Sequence, residues 1–509
     1  MYSIVATAII HGIKSIPVYV EADISEGMPM LEMVGFLASE VKEARERVRT
    51  ALRNSGYLMP ARRITINFTP ANIRKSGSGF DLPMALAILV AIRALPQECL
   101  ADTFVIGEVG LNGRVQPVCG VLPMVAEAKE RGLLRCIVPR ENRREASLVT
   151  GISVLAVASI EEAVLRLRGG ADREPYANNI EETQEPEAVL DFAEVSGQHV
   201  VKRACETAVS GMHNLLLIGP PGAGKTMIAK RIPTILPDLD DREQMELTKI
   251  YSVSGNLVEQ NGLIRRRPFR APHHTVSPHG LAGGGVLPKP GEISLAHKGV
   301  LFLDELPEFS PNTLEILRQP MEEKRVRLVR LQGTYEYPAD FMLVAAMNPC
   351  RCGYYPDMQR CRCSQSAIER YLGRISQPLI DRIDICVEAA ALAFRALNGT
   401  AKEECSADIR RRVVQAHEIQ RERYREETFC YNSQIPAARI REYCGLSGEQ
   451  EARMERLYTS LGLTARTYHK ILKVARTLAD MDGEDKIKDC HLNEAVCYRS
   501  LDKKFWERP

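Results

Sequence analysis

The sequence predicts an α/β fold with a parallel sheet flanked by helices, and three apolar runs carry that prediction. Leu215-Leu216-Leu217-Ile218 leads into Gly219-Pro220-Pro221-Gly222-Ala223-Gly224-Lys225-Thr226, which opens onto the helix-forming Met227-Ile228-Ala229. Gly299-Val300-Leu301-Phe302-Leu303 ends in Asp304-Glu305, and Phe341-Met342-Leu343-Val344-Ala345-Ala346-Met347 ends in Asn348. Continuous apolar runs of this length suit strands buried on both faces. The polar residues that end them then gather at one edge of the sheet.

The first of these turns reads as a phosphate-binding loop, because strand, glycine-rich loop and helix follow in the required order. In Gly219-Pro220-Pro221-Gly222-Ala223-Gly224, the phosphate-binding residues ahead of Lys225, the glycines would let backbone N–H groups curl around phosphates. Lys225 would reach the β/γ oxygens, and the Thr226 hydroxyl would sit on Mg²⁺ at a helix N-terminus that already favours anions. Asp304 would hold Mg²⁺ through water and Glu305 would polarise the attacking water. An ordinary strand running into a turn can also end in Asp-Glu; the neighbouring phosphate loop favours the catalytic reading.

Length and composition bound the rest. A chain of 509 residues is too long for one core, and about three domains are expected. The 67 basic and 65 acidic residues leave a net charge of +2, so any nucleic-acid surface must be a local patch. Fourteen cysteines follow a start, Met1-Tyr2-Ser3-Ile4-Val5, that lacks a basic n-region, which predicts a cytoplasmic protein with reduced thiols. The stretch from Leu82 to Leu95 is too short for a membrane span and contains Arg93.

Residues 1–170 mix strand-like segments, Ile64 to Phe68 and Phe104 to Gly107, with helix-like ones, Glu40 to Asn54 and the apolar Leu82 to Ala94. Residues 171–190 are polar and acidic and read as a linker. The nucleotide-binding module is expected over 191–395. A helical domain is expected over 396–509, with helices at Ala407 to Thr428, Ile435 to Cys444, Ser447 to Leu461, Ala465 to Asp480 and Leu492 to Ser500.

The phosphate loop, the acidic strand and the strand ending in Asn348 resemble AAA+ ATPases, in which a polar residue at the position of Asn348 helps place the attacking water. Pro378-Leu379-Ile380-Asp381-Arg382-Ile383-Asp384 resembles the segment that presents an arginine finger to a neighbouring subunit; Arg382 is the first choice and Arg374 the reserve. Thr464-Ala465-Arg466 resembles the second sensor at the start of a lid helix. A finger acting in trans implies a ring. Val195-Ser196-Gly197-Gln198 and His213-Asn214 resemble the segments that pack near the adenine, so ATP is the nucleotide that the resemblance implies.

Arg267-Pro268-Phe269-Arg270-Ala271-Pro272-His273-His274-Thr275, Gly283-Gly284-Gly285 and Pro290-Gly291-Glu292-Ile293-Ser294-Leu295-Ala296-His297 resemble the magnesium-chelatase-like branch of AAA+ proteins and, within it, the bacterial ComM/YifB group. The N-terminal residues resemble the Lon-protease-type domain of that group and of the recombination protein RadA, through Lys75 to Gly79 and Gly107 to Val115. Aligning these signatures puts Gly79 at the serine position and Met124 at the lysine position. Neither can act as nucleophile or base, so a non-proteolytic domain used for assembly or DNA contact is expected.

Cys350-Arg351-Cys352 and Cys361-Arg362-Cys363 supply four thiols expected on a short hairpin, either as a structural Zn²⁺ site or as reduced thiols without metal. Arg351, Arg360, Arg362, Tyr354 and Tyr355 interleave with them, offering phosphate contact and base stacking or merely a solvated knuckle. Lys324, Arg325, Arg327 and Arg330 lie on an expected hairpin returning through Tyr335 and Tyr337, either a pore element or an edge protected by charge. Arg265, Arg266, Arg267 and Arg270 open a glycine-containing loop that offers further phosphate contacts.

The resemblance implies a homo-hexameric, ATP-driven motor on single-stranded and branched DNA, a helicase promoting branch migration of recombination intermediates during natural transformation. A chelatase-type subunit and a protein-remodelling ATPase are the alternatives. The chain has no Asp-x-Ser-x-Ser metal site of the chelatase partner subunit, which argues against the former.

Overall fold

The computed structural model describes residues 2–169, 190–257, 262–330, 333–390 and 403–506. The expected linker at 171–190 lies outside the described residues except for Leu190, and so does the expected boundary near 395. Among the described residues no helix is long and apolar enough to cross a membrane.

The N-terminal residues form β1 (Tyr2–His11), β2 (Lys14–Ser25), β3 (Met30–Val34), β4 (Arg63–Thr69), β5 (Thr103–Val105), β6 (Glu108–Val109), β7 (Val115–Gln116), β8 (Arg135–Pro139) and β9 (Ser153–Val157). Seven of them make one mixed sheet in the order β3-β4-β2-β1-β5-β8-β9. The helix Ser39–Asn54 buries Val41, Ala44, Val48, Ala51 and Leu52 at helical spacing and leaves its charged face outside. The helix Asp81–Ala91 is buried along every residue, as its continuous apolar sequence requires.

The second sheet is built from β10 (Leu215–Ile218), β11 (Phe269–Arg270), β14 (Val300–Leu303), β17 (Met342–Met347) and β18 (Ile385–Glu388). All five are parallel, in the order β11-β14-β17-β10-β18. Period-two alternation splits each strand between two cores. Leu215, Leu217, Phe302 and Val344 face a cluster shared with the helix His199–Gly211 and the C-terminal helices. Leu216, Ile218, Leu303 and Ala345 face the opposite cluster, which includes Cys350 and Cys361. Burial on both faces explains why these strands read as unbroken apolar runs.

Two short pairings complete the central part: β12 (Gly283–Gly284) with β13 (Lys289–Pro290), and β15 (Arg325–Arg330) with β16 (Gly333–Pro338). The second is the expected basic hairpin, and it buries Val326, Leu328 and Tyr337 while Arg325 and Arg327 point outward. One side of it is covered. The His11 ring at the β1–β2 turn stacks on Tyr335 at 4.3 Å between centroids. A second bridge joins the same two parts, with the Ser252 hydroxyl 2.5 Å from Glu145 and the Gly120 N–H donating to the Ser252 carbonyl at 3.0 Å.

The C-terminal residues are helical: Ser406–Arg423, Gly448–Leu461, Ala465–Met481, Asp489–Cys497 and Ser500–Phe505. The helix expected from Ile435 to Cys444 is instead a 3₁₀ turn, Ala437–Arg439, and a short helix, Ile440–Tyr443. Ile435 precedes Pro436, which drives it out of the helical region to φ −52°, ψ 122°. The helix expected to reach Thr428 stops at Arg423.

Candidate functional site

The parallel sheet delivers Gly219, Asp304 and Asn348 to its carboxyl edge, each directly after its strand. Gly222 and Gly224 take left-handed φ values of 78° and 80°, which curl the loop before the helix Lys225–Ala229. The Lys225 ammonium donates to the carbonyls of Gly219 at 2.7 Å and Pro220 at 3.0 Å, and to Asn348 Oδ1 at 3.0 Å. Burial lowers the pKa of Lys225, and the charge of Asp304 acts in the opposite sense. The Thr226 hydroxyl donates to Asp304 Oδ2 at 2.7 Å, while Asp304 Oδ1 accepts the Glu305 N–H at 2.9 Å. Lys225, Thr226, Asp304, Glu305 and Asn348 thus converge. A hydroxyl beside a carboxylate could hold Mg²⁺, and the loop could cradle phosphates.

Glu305 occupies left-handed space at φ 51°, ψ 46°, a strained position for a side-chain-bearing residue. Its carboxylate lies 3.5 Å from His274 Nδ1. His274 also meets the edge of Phe309 and lies tilted on His273, with centroids 4.0 Å apart. Nothing in the sequence beside these histidines announces this contact. The available signal was position: the segment follows β11, which pairs with the strand carrying Asp304 and Glu305.

The finger-like Arg382 and the sensor-like Arg466 lie at the other end of the sheet. Leu215 pairs with Ile385 and Ile218 with Glu388, so Arg382 and Asp384 precede β18 at its amino edge. The length of β10, about 13 Å at about 3.3 Å per residue, separates that edge from the phosphate loop. Arg382 donates to the Pro378 carbonyl at 2.7 Å and to Glu322 at 2.5 Å, and its own carbonyl accepts from the Asn214 side chain at 3.0 Å. Arg466, in the first turn of Ala465–Met481, lines the same cleft as Arg382, about 760 Å³ in volume. Lys470 of that helix ties the two together, donating to the Ile383 carbonyl at 2.9 Å and pairing with Asp384 at 3.1 Å. Burial pushes the Asp384 carboxyl upward, but Lys470, His213 and the Asn214 N–H outweigh it and hold it well below the ordinary carboxylate range. Arg374 instead pairs with Glu308 at 2.8 Å, in the turn after Glu305.

The cysteine segment does not form the expected hairpin. It folds as successive turns, because Gly353 and the aspartate turn at Asp357 reverse the chain without any strand pairing. The thiols nevertheless converge: all four ligand atoms lie within 4.8 Å of one another. Sγ–Sγ distances are 3.3 Å for Cys350–Cys352, 3.5 Å for Cys352–Cys361 and 3.8 Å for Cys350–Cys361. A tetrahedron with Zn–S of about 2.3 Å has edges of about 3.8 Å. The donor set therefore fits Zn²⁺, and among the described residues it is the one cluster of this kind. Arg360 lies over the Tyr354 ring at 5.0 Å.

The expected DNA-contact residues divide. Arg267 turns inward, its side chain only 7% exposed, donating to the carbonyls of Pro237 and Lys298 and to Glu243. That corrects its assignment as a phosphate contact: its donors are spent on the protein. Arg270 makes a bidentate pair with Glu292, both bonds 2.7 Å, and is likewise committed. Lys324 pairs with Asp340 at 3.3 Å. Arg325 and Arg327 remain exposed, Arg327 bonding to Glu336 at 2.7 Å. Arg330 abuts Gly284, and the Tyr337 hydroxyl bonds to the Pro288 carbonyl, so hairpin and glycine loop meet. Arg265 and Arg266 are exposed.

Similarity to known proteins agrees with this arrangement. Residues 191–397 match the family model "Magnesium chelatase, subunit ChlI", residues 20–142 "Subunit ChlI of Mg-chelatase", and residues 403–499 "Magnesium chelatase, subunit ChlI C-terminal". The chain is 41% identical to YifB of Escherichia coli strain K12 over 508 residues, covering 98% of this chain and 97% of that protein. It is 39% identical to the competence protein ComM of Haemophilus influenzae over 495 residues, 96% of each. Lon protease 2 of Bacillus subtilis is 35% identical over 128 residues, 25% of this chain and 22% of that protein. The chain belongs to the ComM/YifB family of magnesium-chelatase-type AAA+ ATPases.

Proposed function

We propose that this protein is an ATP-driven ring motor that moves branched DNA. One observation carries the ring: Lys225, Thr226, Asp304, Glu305 and Asn348 occupy one edge of the parallel sheet, while Arg382 and Arg466 occupy the other. One protomer cannot close both halves on one nucleotide. Two adjacent protomers can, with the arginine edge of one meeting the phosphate loop of the next.

In this reading ATP phosphates displace the loop carbonyls from Lys225, whose ammonium then balances the β/γ charge. Thr226 and Asp304 hold Mg²⁺, which neutralises charge on the phosphates. Glu305 and Asn348 orient the attacking water, and the neighbour's Arg382 and Arg466 stabilise charge developing on the transferred phosphoryl group. The hairpin carrying Arg325, Arg327 and Arg330 and the glycine loop beside it form the DNA-facing surface, with Arg265 and Arg266 as further phosphate contacts. Zn²⁺ on Cys350, Cys352, Cys361 and Cys363 is structural, because four protein thiols leave no open position. The N-terminal domain is non-proteolytic: a Cβ at Gly79 would stand 3.1 Å from Ile106, and Met124 is buried in apolar surroundings.

The relative named as a competence protein supports natural transformation as the setting; recombination intermediates as the substrate and a cytoplasmic location follow from the family resemblance. The three chelatase family matches favour a second reading, a motor subunit of a metal-insertion machine. Synthetic four-way DNA junctions separate them. The motor reading expects junction binding, ATPase stimulation and ATP-dependent junction resolution by branch migration. Absence of all three would sink it.

A further inference from the structure

The cysteine knuckle and the phosphate loop are one packed unit, held at three places. Asn348, whose Oδ1 accepts from Lys225, is separated from Cys350 only by Pro349. The Gly219 N–H donates to the Met347 carbonyl at 3.1 Å, tying the start of the loop to the strand that enters the knuckle. Gly353, between the two thiol pairs, takes φ 84° and lies so close to the loop that a Cβ on it would stand 2.3 Å from Pro221 Cδ. Cys350 and Cys361 pack in the same apolar cluster as Leu216 and Ile218 of β10, the strand that feeds the loop. Proline at 349 and 221 stiffens both contacting segments.

We infer that a thiophilic divalent cation of the zinc class on Cys350, Cys352, Cys361 and Cys363 positions the phosphate loop, so that metal and nucleotide bind cooperatively. The inference rests on the Cys₄ metal site and the ATP site proposed above. Without metal, four converging thiols have no common centre, and the turn that presses Gly353 on Pro221 and aims Asn348 at Lys225 loses its anchor. The coupling is reciprocal: whatever factor the metal adds to nucleotide affinity, the nucleotide adds to metal affinity. Couplings of this kind span about 5- to 150-fold.

Two measurements on the full-length protein test this. Binding of a fluorescent ATP analogue, followed at fixed free Mg²⁺ in zinc-loaded and chelator-stripped protein of equal helical content, should weaken at least about fivefold on stripping. Zinc affinity of the loaded protein, measured by competition with a chromogenic chelator, should rise by the same factor when a non-hydrolysable ATP analogue is added. Gly353→Ala serves as the variant that needs no stripping: it should keep one zinc per chain and bind nucleotide more weakly, because the added methyl displaces Pro221. Zinc that binds with equal nucleotide affinity in both forms, or a Gly353→Ala protein with unchanged nucleotide affinity, overturns the coupling and leaves the metal site standing. A purified protein that takes up no zinc and still binds nucleotide removes the metal site itself. Loaded protein that binds no nucleotide removes the ATP reading instead.

Discussion

Asn348 Oδ1 accepts a hydrogen bond from the Lys225 ammonium at 3.0 Å, joining the end of β17 to the phosphate loop that follows β10. These two strands are neighbours in register, Ile218 beside Met347, so the contact is set by the sheet rather than by flexible loops. If Asn348 positions water while Lys225 holds phosphate, their removal separates kinetically. Asn348→Ala should lower the ATPase kcat by about 10²-fold with nucleotide affinity within a few-fold of the parent. Lys225→Ala should lose nucleotide binding itself. Steady-state ATPase rates and equilibrium binding on both variants check this; loss of affinity in Asn348→Ala would contradict it.

The shared cleft of Arg382 and Arg466 makes a sharper prediction about complementation. Mixing Lys225→Ala with Arg382→Ala subunits restores interfaces that pair an intact phosphate loop with an intact arginine face, and the ATPase should recover in part. Lys225→Ala mixed with Arg466→Ala should recover likewise. Arg382→Ala mixed with Arg466→Ala should not, because every interface then lacks one arginine. Recovery in that last mixture would mean that the two arginines serve different interfaces.

His274 lies 3.5 Å from Glu305, a carboxylate whose backbone is strained and whose side chain is 59% exposed. An exposed carboxylate samples many orientations, and only some point at an attacking water. His274 is therefore a positioning residue. His274→Ala should lower kcat by about tenfold with KM for ATP nearly unchanged, and His274→Gln should recover part of it through a side chain that still donates. A matched rise in KM would place His274 in nucleotide binding instead.

The strands that deliver Gly219, Asp304 and Asn348 were legible because burial on both faces writes a continuous apolar run. The four thiols were legible as a cluster, since residues two apart in tight turns must lie close. The turn form was not, because nothing local distinguishes a strand pair from successive turns in so short a segment. Arg267 reads as part of a basic run with Arg265 and Arg266, yet its acceptors come from Pro237, Glu243 and Lys298. Such partners are set by tertiary packing and leave no mark beside the residue. The contact of His274 with Glu305 is hidden for the same reason: it depends on β11 lying beside β14, and β11 is only two residues long. The stacking of His11 on Tyr335 joins segments more than three hundred residues apart and is equally silent in sequence.

His417 gives the helical part a defined response to acid. It lies in the helix Ser406–Arg423, 8% exposed, and its Nε2 lies 3.0 Å from the Val209 carbonyl of the helix His199–Gly211. Burial lowers its pKa to about 4, with the Val209 carbonyl acting in the opposite sense and Arg267 and Arg421 adding to the lowering. The folded protein thus keeps the ring neutral, while the unfolded chain protonates it near pH 6.5. Between those values the unfolded state binds more protons, so this contribution to stability is present above pH 6.5 and is lost as pH falls toward about 4. At pH 5 the loss amounts to about 2 kcal/mol. His417→Gln retains a donor for Val209 without a titrating group, so its urea midpoint, followed by circular dichroism, should fall less than the parent's between pH 7.5 and pH 5. Equal losses in the two proteins would show that the ring does not titrate in this window.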